Sequence, residues 1–281
     1  MLVETRELRY FVAVAEELHF GRAAQRLAMA QPPLSRAIQQ LERRLGVVLL
    51  HRTARAVTLS EAGTVLLREA RIVLEAVEAA GHRTRRAATN RPALVLAAKA
   101  GASSELLSEL LDAYAAEPGA VTVEVILSGP GQPENLLRTG RADVALLHRP
   151  YDETAGFDTE DLRTEPQVVV LPRAHRLAGR SHLSMAEVEA LTSLPLPRWP
   201  EPDGSYPDGT GPQIRDHTQL LQLIALGLAC AVVPESIQAQ LRDDHAVVPV
   251  PDAPNVTTLI AWPPHSRNKA VADLVRAATH L

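Results

Sequence analysis

A glutamine, two prolines, a serine and an arginine lie at the start of the segment AQPPLSRAIQQLERRLG, residues 30–46, and two further glutamines follow. Arginine and glutamine can form paired hydrogen bonds with the edges of guanine and adenine, and proline can contact a thymine methyl group. Leucine or isoleucine recurs every three or four residues from Leu34 to Leu45, which predicts a helix with one apolar face. The polar residues fall outside that face and are expected to point outward. The candidate base-contacting residues are Gln31, Pro32, Pro33, Ser35, Arg36 and Gln39.

The double proline is compatible with this helix. The first helical residues have no intrahelical acceptor for their N–H groups, so a proline there loses no hydrogen bond. We expect Gln31 to be the N-cap, although glutamine is not a favoured cap, with Pro32 and Pro33 in the first turn. Gly46 is expected to end the helix.

A second basic cluster lies in VVLLHRTARAVTL, residues 47–59. Two apolar, β-branched runs around a polar centre predict a two-stranded hairpin with a basic tip. His51, Arg52 and Arg55 would then contact phosphates or a minor groove. The alternative for Arg36 and Arg52 is an ordinary exposed charge.

Helical segments near residues 6–18 and 21–27 precede the predicted helix of residues 30–46 and the hairpin. Together these elements have the order of a winged helix-turn-helix DNA-binding domain, residues 1–60. Ser60 is the expected N-cap of a long helix, and residues 61–91 form a linker. The helix carries a narrow stripe that predicts a coiled-coil dimer; the alternative is a stripe packed on its own domain. The stripe consists of Ala62, Leu66, Ala70, Val73, Val77 and Ala80.

Strands alternate with helices in residues 92–281. The pattern predicts two small α/β lobes, one of residues 92–163 and 265–281 and the other of residues 164–264. The βαβαβ order at the start predicts a parallel sheet.

The charge is divided unequally. Residues 1–91 contain 15 arginines and 9 acidic residues, a net charge of +6, and the remainder contains 14 basic and 24 acidic residues, a net charge of −10. A basic module joined to an acidic remainder favours a nucleic-acid-binding domain attached to one that does not bind polyanions. The longest apolar run, residues 223–233, is too short to span a bilayer, and the charged N-terminus does not resemble a signal peptide. We therefore expect a cytoplasmic protein with Cys230 as a core residue.

Residues 8–63 contain AAQRL, QPPLSRAIQQLE, LGVVLLHRT and LSEAG in that order. This set resembles the DNA-binding domain of LysR-type transcriptional regulators. The resemblance implies binding to an interrupted dyad in operator DNA by a dimer or tetramer joined through the linker helix, with RNA polymerase as a further candidate partner. It assigns groove contacts to Gln31, Pro32, Pro33, Ser35 and Arg36 and a wing contact to Arg52. Gly21 departs from the Ser or Thr frequent in the family, which puts a cap or a phosphate contact in doubt.

RTGRADVALLHRP, PRAHRLA and LLQLIALGLACAVVPESI resemble, more weakly, the effector domain of the same family. The resemblance implies a two-lobed α/β domain shaped like a periplasmic binding protein. Ala229, where a second glycine is usual, and the loop EPDGSYPDGTGP depart from the family pattern. These departures limit any transfer of ligand identity.

Ligands in such folds lie beyond the C-terminal ends of strands and at helix N-termini. Lys99 and Arg198 could clamp a carboxylate, so the predicted effector is a small organic anion, with no cofactor and no metal. The alternative is that Lys99 points to solvent and Arg198 pairs with Glu201 or Asp203. The candidate effector residues are Lys99, Ser103, Ser104, Ser128, Gly129, His148, Arg149, Arg198, Trp199 and Thr218.

Three other classes compete with an effector-controlled regulator. An enzyme is disfavoured because GxSxG and HExxH are absent from the sequence. A solute-binding transport protein would need a signal peptide and would lack the arginine-rich helices. An effector-independent architectural or repressor DNA-binding protein stays open, and a DNA-binding assay with and without metabolites separates it from the regulator.

Overall fold

The computed structural model describes residues 3–53, 56–88, 93–201, 205–264 and 266–281. The chain forms two compact units, Met1–Arg85 and Arg86–Leu281. Within the described residues, no helix is both long and apolar enough to cross a membrane.

The first unit has the predicted order of helix, short helix, helix and hairpin, followed by a long helix that runs past its boundary. Its elements are α1 (Thr5–Glu17), α2 (Phe20–Arg26), α3 (Gln31–Leu45), β1 (Leu50–Arg52), β2 (Val57–Leu59) and α4 (Glu61–Ala87). Leu34, Ile38 and Leu41 of α3 are fully buried with Phe11 and Val14 of α1. The apolar face of α3 therefore forms the centre of this unit.

The start of α3 corrects one prediction. Ala30 is the N-cap and makes no side-chain hydrogen bond, and Gln31 is the first helical residue. An N-cap side chain normally accepts a hydrogen bond from the N–H of the second or third helical residue. Those residues here are Pro32 and Pro33, which have no N–H, so a capping side chain would have no donor to satisfy.

Helix α2 begins one residue earlier than predicted, at Phe20. Nδ1 of His19 accepts hydrogen bonds from the N–H groups of Gly21 (3.1 Å) and Arg22 (3.2 Å). A Cβ at Gly21 would lie 2.9 Å from Cε1 of His19. Glycine at this position therefore leaves room for the His19 ring. His19 supplies the N-cap that the lack of Ser or Thr at residue 21 had put in doubt.

Ser60 caps α4 as predicted, since its Oγ accepts a hydrogen bond from the N–H of Gly63 at 2.9 Å. The predicted stripe of α4 has two parts. Ala62 and Leu66 pack against the core of the first unit, as the alternative interpretation expected. Val73 and Val77 are 43% and 40% exposed, so the second part of the stripe is uncovered in the single chain.

The second unit contains two sheets with their helices. Its elements are β3 (Ala93–Lys99), α5 (Ser104–Ala115), β4 (Thr122–Ser128), α6 (Gln132–Arg138), β5 (Val144–Arg149), β6 (Asp158–Glu165), β7 (Gln167–Pro172), α7 (Met185–Glu189), α8 (His217–Ala225), β8 (Ala231–Pro234), a 3₁₀ helix (Glu235–Gln240), β9 (His245–Pro249), β10 (Val256–Trp262) and α9 (Lys269–Ala278).

The larger sheet has the strand order β4-β3-β5-β10-β6. Strand β3 is parallel to β4 and β5, as predicted, but β10 is antiparallel to both of its neighbours, β5 and β6. The three strands of the βαβαβ order are therefore parallel, as predicted, and β10 is an antiparallel addition that the prediction did not assign to this sheet. Strand β6, DTEDLRTE, was not predicted, because it is a polar edge strand without an apolar run. We call this sheet with α5, α6 and α9 the large-sheet lobe.

The smaller sheet has the order β8-β7-β9 and is antiparallel throughout. With α7, α8 and the 3₁₀ helix it forms the small-sheet lobe. The predicted boundary of this lobe, residues 164–264, is wrong at its end because β10 belongs to the larger sheet. Five of the seven residues of β10 are buried, and such a strand suits either sheet, so its sequence does not show which one it joins.

Candidate functional site

The outer face of α3 is exposed as predicted. Gln31, Pro32, Arg36 and Gln39 are exposed, whereas Pro33 and Ser35 are partly buried. The guanidinium of Arg36 makes no hydrogen bond or ion pair to any residue that the structure describes. The first turns of α3 therefore present polar groups that are not committed to the chain's own fold.

Arg52 is exposed at the hairpin, but its guanidinium already has partners within the first unit. Its Nη2 lies 3.1 Å from Oε2 of Glu42, and its Nη1 donates to Oγ of Ser35 at 3.3 Å. The guanidinium carbon also lies 4.7 Å from the ring centroid of Phe20. Arg52 thus links the hairpin to α2 and α3, and it is not an isolated exposed charge. His51 is exposed. Arg55 lies outside the described residues.

Glu42 is a positioning residue that the sequence did not reveal. Its Oε1 accepts hydrogen bonds from the backbone N–H groups of Leu49 (2.9 Å) and Leu50 (3.1 Å), while its Oε2 pairs with Arg52. One carboxylate therefore fixes the hairpin relative to α3. Glu42 is partly buried and lies at the edge of the buried stripe, four residues after Ile38, and nothing in the sequence distinguishes it from other carboxylates at such edges.

A buried ion pair occupies the centre of the predicted effector site. Nζ of Lys99 lies 2.5 Å from Oδ1 of Asp152, and both side chains are at least nine-tenths buried. Oδ2 of Asp152 accepts the N–H of His148 at 2.7 Å. Burial by itself would raise the pKa of Asp152, but hydrogen bonding with His148 and the charge of Lys99 together hold that pKa below its usual range. Lys99 therefore neither points to solvent nor is available to clamp a ligand.

Ser103, His148 and Thr258 form a hydrogen-bonded chain beside this pair. Oγ of Ser103 lies 2.9 Å from Nε2 of His148 and 3.1 Å from Oγ1 of Thr258. The structure thus brings together the predicted residues Lys99, Ser103 and His148. The sequence did not identify Asp152 or Thr258 as part of this cluster. Thr258 is 155 residues from Ser103, and Asp152 belongs to no recognisable motif.

Two further polar atoms near Lys99 are buried without a hydrogen-bond partner among the described residues: Oγ of Ser128 and Oε2 of Glu134. Ser128 stands beside Lys99 in the register of β4 and β3. Burial raises the pKa of Glu134, and the negative charge of Asp152 raises it further. A protonated Glu134 could donate a hydrogen bond, and the Ser128 hydroxyl could donate or accept one.

The two predicted arginines have partners of their own. Nε and Nη1 of Arg198 donate to the carbonyl oxygens of Gly211 (2.8 Å) and Pro207 (3.0 Å). Arg149 forms an ion pair with Asp161. The predicted carboxylate clamp of Lys99 and Arg198 is therefore wrong: the first is neutralised by Asp152 and the second braces its own loop. The alternative pairing of Arg198 with Glu201 is not among its described contacts, and Asp203, the other alternative partner, lies outside the described residues.

A cleft of about 520 Å³ opens between the two lobes of the second unit. Gly101 forms one wall, where a Cβ would lie 2.8 Å from Cβ of His217, and Nε2 of Gln240 donates to the Gly101 carbonyl at 2.9 Å. The His217 and Trp199 rings are 5.3 Å apart. Burial lowers the pKa of His217, which favours its neutral form. The cleft is thus bounded by close contacts between the lobes.

The polar lining of this cleft also includes Asp216, Thr218, Gln222 and Arg242. Thr218, at the start of α8, lines it as predicted, whereas Ser104 and Gly129 are not among its lining residues. Arg242 also lines it, and its guanidinium has no partner in the part of the chain that the structure describes. Arg242 was not predicted because it belongs to the exposed turn RDD after the 3₁₀ helix, which resembles any solvated loop.

Two family models match nearly the whole chain. Residues 5–64 match the bacterial regulatory helix-turn-helix protein, lysR family, and residues 87–281 match the LysR substrate binding domain. The transcriptional regulator AlsR of Bacillus subtilis is 33% identical over 83% of this chain and 81% of its own length. BudR of Raoultella terrigena is 31% identical over 96% of this chain and 98% of its own length.

Solved structures agree with these matches. CbnR, described as a LysR family transcriptional regulator, has a TM-score of 0.56 and 26% identity, with 99% of each chain covered. Full-length CbnR complexed with its target DNA has a TM-score of 0.53 and 27% identity, again with 99% of each chain covered. The exposed face of α3, the two-lobed second unit and these similarities together show that the chain belongs to the LysR family of DNA-binding transcriptional regulators and is not an enzyme.

Proposed function

We propose that this regulator recognises its operator through the first turns of α3. The observation that carries this proposal is that Arg36, on α3 opposite a fully buried stripe, is exposed and has no partner among the described residues. Gln31, Pro32, Pro33, Ser35 and Gln39 complete the base-contacting set, and His51, Arg52 and Arg55 lie in the hairpin segment that would contact the DNA backbone. Residues 1–60 would bind DNA, residues 61–91 would join two chains, and residues 92–281 would bind the effector.

The effector would be a small organic anion in the cleft between the two lobes. Support comes from Arg242, a cation without a partner among the described residues, and from the hydrogen-bonding groups of Thr218 and Gln240 in the same cleft. Arginine forms paired, charge-assisted hydrogen bonds with carboxylates. Arg242 thus replaces Lys99 as the residue that would hold the carboxylate.

A thermal-shift screen of small carboxylic acids tests this contact. Acids that bind should raise the melting temperature of the wild type and of the control Arg215→Gln, since Arg215 is exposed and does not line the cleft. The same acids should raise the melting temperature of Arg242→Gln less than that of the wild type and the control. Equal shifts in all three proteins would place the carboxylate elsewhere.

Operator binding measured at several salt concentrations, with and without an acid that binds, tests the regulatory link. The acid should change the affinity for operator DNA more than the affinity for unrelated DNA. A protein that acts in this way on operators would work in the cytoplasm, with RNA polymerase as a further candidate partner. Binding that is identical for operator and unrelated DNA would contradict the proposal.

A further inference from the structure

A second cleft lies entirely within the small-sheet lobe. It has a volume of about 600 Å³ and is bounded by the end of β7, the start of β9, the 3₁₀ helix and the loop that follows β7. It is separate from the proposed effector contact, because neither Arg242 nor Thr218 lines it. A volume of this size fits a small organic molecule.

Arg173 gives the described lining of this cleft a positive charge. The backbone N–H of Arg173 donates to the carbonyl of Asp244 at 2.9 Å, while its exposed guanidinium has no partner among the residues that the structure describes. His245 is only 4% exposed. Its Nε2 lies 2.9 Å from the carbonyl oxygen of Leu221 and its Nδ1 lies 2.7 Å from Oδ1 of Asp244.

The rest of the lining is apolar or neutral. Leu241, Ala246 and Val247 provide apolar surface, and Gln238 provides an amide. The lining residues, all in the described part of the chain, include no aspartate or glutamate. A guanidinium beside an apolar floor is suited to a carboxylate carried on a small apolar body.

We propose that this cleft is a second ligand site, which binds a small carboxylic acid with an apolar or aromatic body. The carboxylate would pair with Arg173, and the body would lie against Leu241, Ala246 and Val247. The binding of a ligand in this cleft is inferred from its lining residues alone. Only the coupling between the two clefts, described next, rests on the proposed function.

The second site is connected to the interlobe cleft through one short element. Gln238 lines the second site, and Gln240, two residues further along the same 3₁₀ helix, donates to the carbonyl of Gly101 in the other lobe. His245 lines both clefts. A ligand that shifts the 3₁₀ helix would therefore alter the contact that closes the interlobe cleft, and occupancy of either site would change the affinity of the other by the same factor.

Calorimetric titration of the full chain with benzoate tests the site. The variants are Arg173→Gln and the matched control Arg176→Gln, since Arg176 is an exposed arginine of the same loop that does not line the cleft. We expect Arg173→Gln to weaken one benzoate-binding event about tenfold or more, because it removes a hydrogen bond to a charged group. Arg176→Gln should bind like the wild type. Arg173→Lys, which retains the charge, should show intermediate affinity and guards against a general folding defect.

Arg242→Gln separates this proposal from the proposed function. Retained, Arg173-dependent benzoate binding in Arg242→Gln supports the second site whether or not the interlobe cleft binds acids. Loss of all benzoate binding in Arg242→Gln, with Arg173→Gln equal to the wild type, overturns the second site and leaves the proposed function standing. Absence of benzoate binding in the wild type also overturns it. Gln240→Ala should make two measured binding events independent of each other; unchanged coupling would overturn the proposed link.

Discussion

At the scale of single residues, the arginines of the first unit have different roles. Arg36 is exposed and has no partner in the part of the chain that the structure describes, whereas Arg52 contacts Glu42, Ser35 and Phe20. An arginine that already has partners must exchange or share them to contact DNA. Arg36 is therefore the stronger candidate for direct recognition of a base.

The first prediction concerns Arg36. Arg36→Ala should cost about 1–3 kcal/mol of specific operator binding and relax the preference at one base pair. Arg43→Ala is the matched control, because Arg43 is exposed in the last turn of the same helix. Binding to a panel of single-base operator variants measures both effects. A uniform loss over all sequences would instead assign Arg36 to the phosphate backbone.

The second prediction concerns Asp152, whose pKa is lowered in the folded protein. Asp152→Asn leaves Lys99 as a buried cation without a counter-charge and should destabilise the second unit by about 3–5 kcal/mol at neutral pH. A carboxylate whose pKa is lowered by folding stabilises the folded protein fully above its unfolded-state pKa of about 3.9. That stabilisation is lost as the pH falls through the folded-state pKa. The difference in the free energy of unfolding between the wild type and Asp152→Asn should therefore be largest at neutral pH and decrease as the pH is lowered.

Denaturant unfolding between neutral and acid pH measures this difference. The double variant Lys99→Met/Asp152→Asn is the control, because it removes both charges and should recover part of the lost stability. A stability difference that does not change with pH would show that the ion pair is not its source.

At the scale of elements, the close approach of α4 to the hairpin depends on one glycine. A Cβ at Gly63 would overlap the carbonyl oxygen of Leu49, which immediately precedes β1. The same segment supplies the Ser60 cap, whose Oγ accepts the Gly63 N–H. Cap and glycine together fix where α4 leaves the hairpin, and this explains the LSEAG motif in physical terms.

The third prediction uses two glycines of α4. Gly63→Ala should destabilise the first unit by about 1–3 kcal/mol, because the methyl group has no room beside backbone atoms. Gly81→Ala is the matched control: its Cβ would meet only the flexible end of Arg85, and alanine should stabilise the helix by about 0.5–1 kcal/mol. Thermal unfolding of the two variants should shift in opposite directions. A neutral Gly63→Ala would mean that α4 moves away from the hairpin at little cost.

At the scale of the whole molecule, α4 is the element expected to join two chains. Its first turns pack on the first unit, whereas Ile72, Val73 and Val77 are each at least 40% exposed. Burial of large apolar side chains is favourable at about 25 cal/mol per Å². A second copy of α4 could bury this surface, and an interrupted dyad in DNA would require such a symmetric dimer.

The fourth prediction follows from that surface. Val77→Glu should weaken the dimer and, with it, operator affinity, because a buried charge without a partner is costly at an interface. Val48→Glu is the control, since Val48 is 56% exposed but lies outside α4. Analytical ultracentrifugation over a range of concentrations measures the association. If Val77→Glu assembles like the control, another surface must join the chains.

Local patterns in the sequence determined the architecture of this protein. Apolar periodicity, the Ser60 cap, the Gly46 stop and the ordered motifs of residues 8–63 predicted the winged helix-turn-helix domain, since each depends on residues a few positions apart. The family and the exposed face of α3 followed from the same signals. The predicted helix and strand positions in the second unit also agree well with the structure, except for the polar edge strand β6.

Only the tertiary structure decided which distant residues meet. Lys99 is neutralised by Asp152, 53 residues away, and β10 joins the larger sheet although the preceding strand in the chain belongs to the smaller one. A charge or a buried strand in the sequence shows that it needs a partner but not which partner it finds. That choice depends on how the chain folds back on itself, and it removed Lys99 and Arg198 from the predicted clamp while it placed Arg242 and Arg173 beside two clefts.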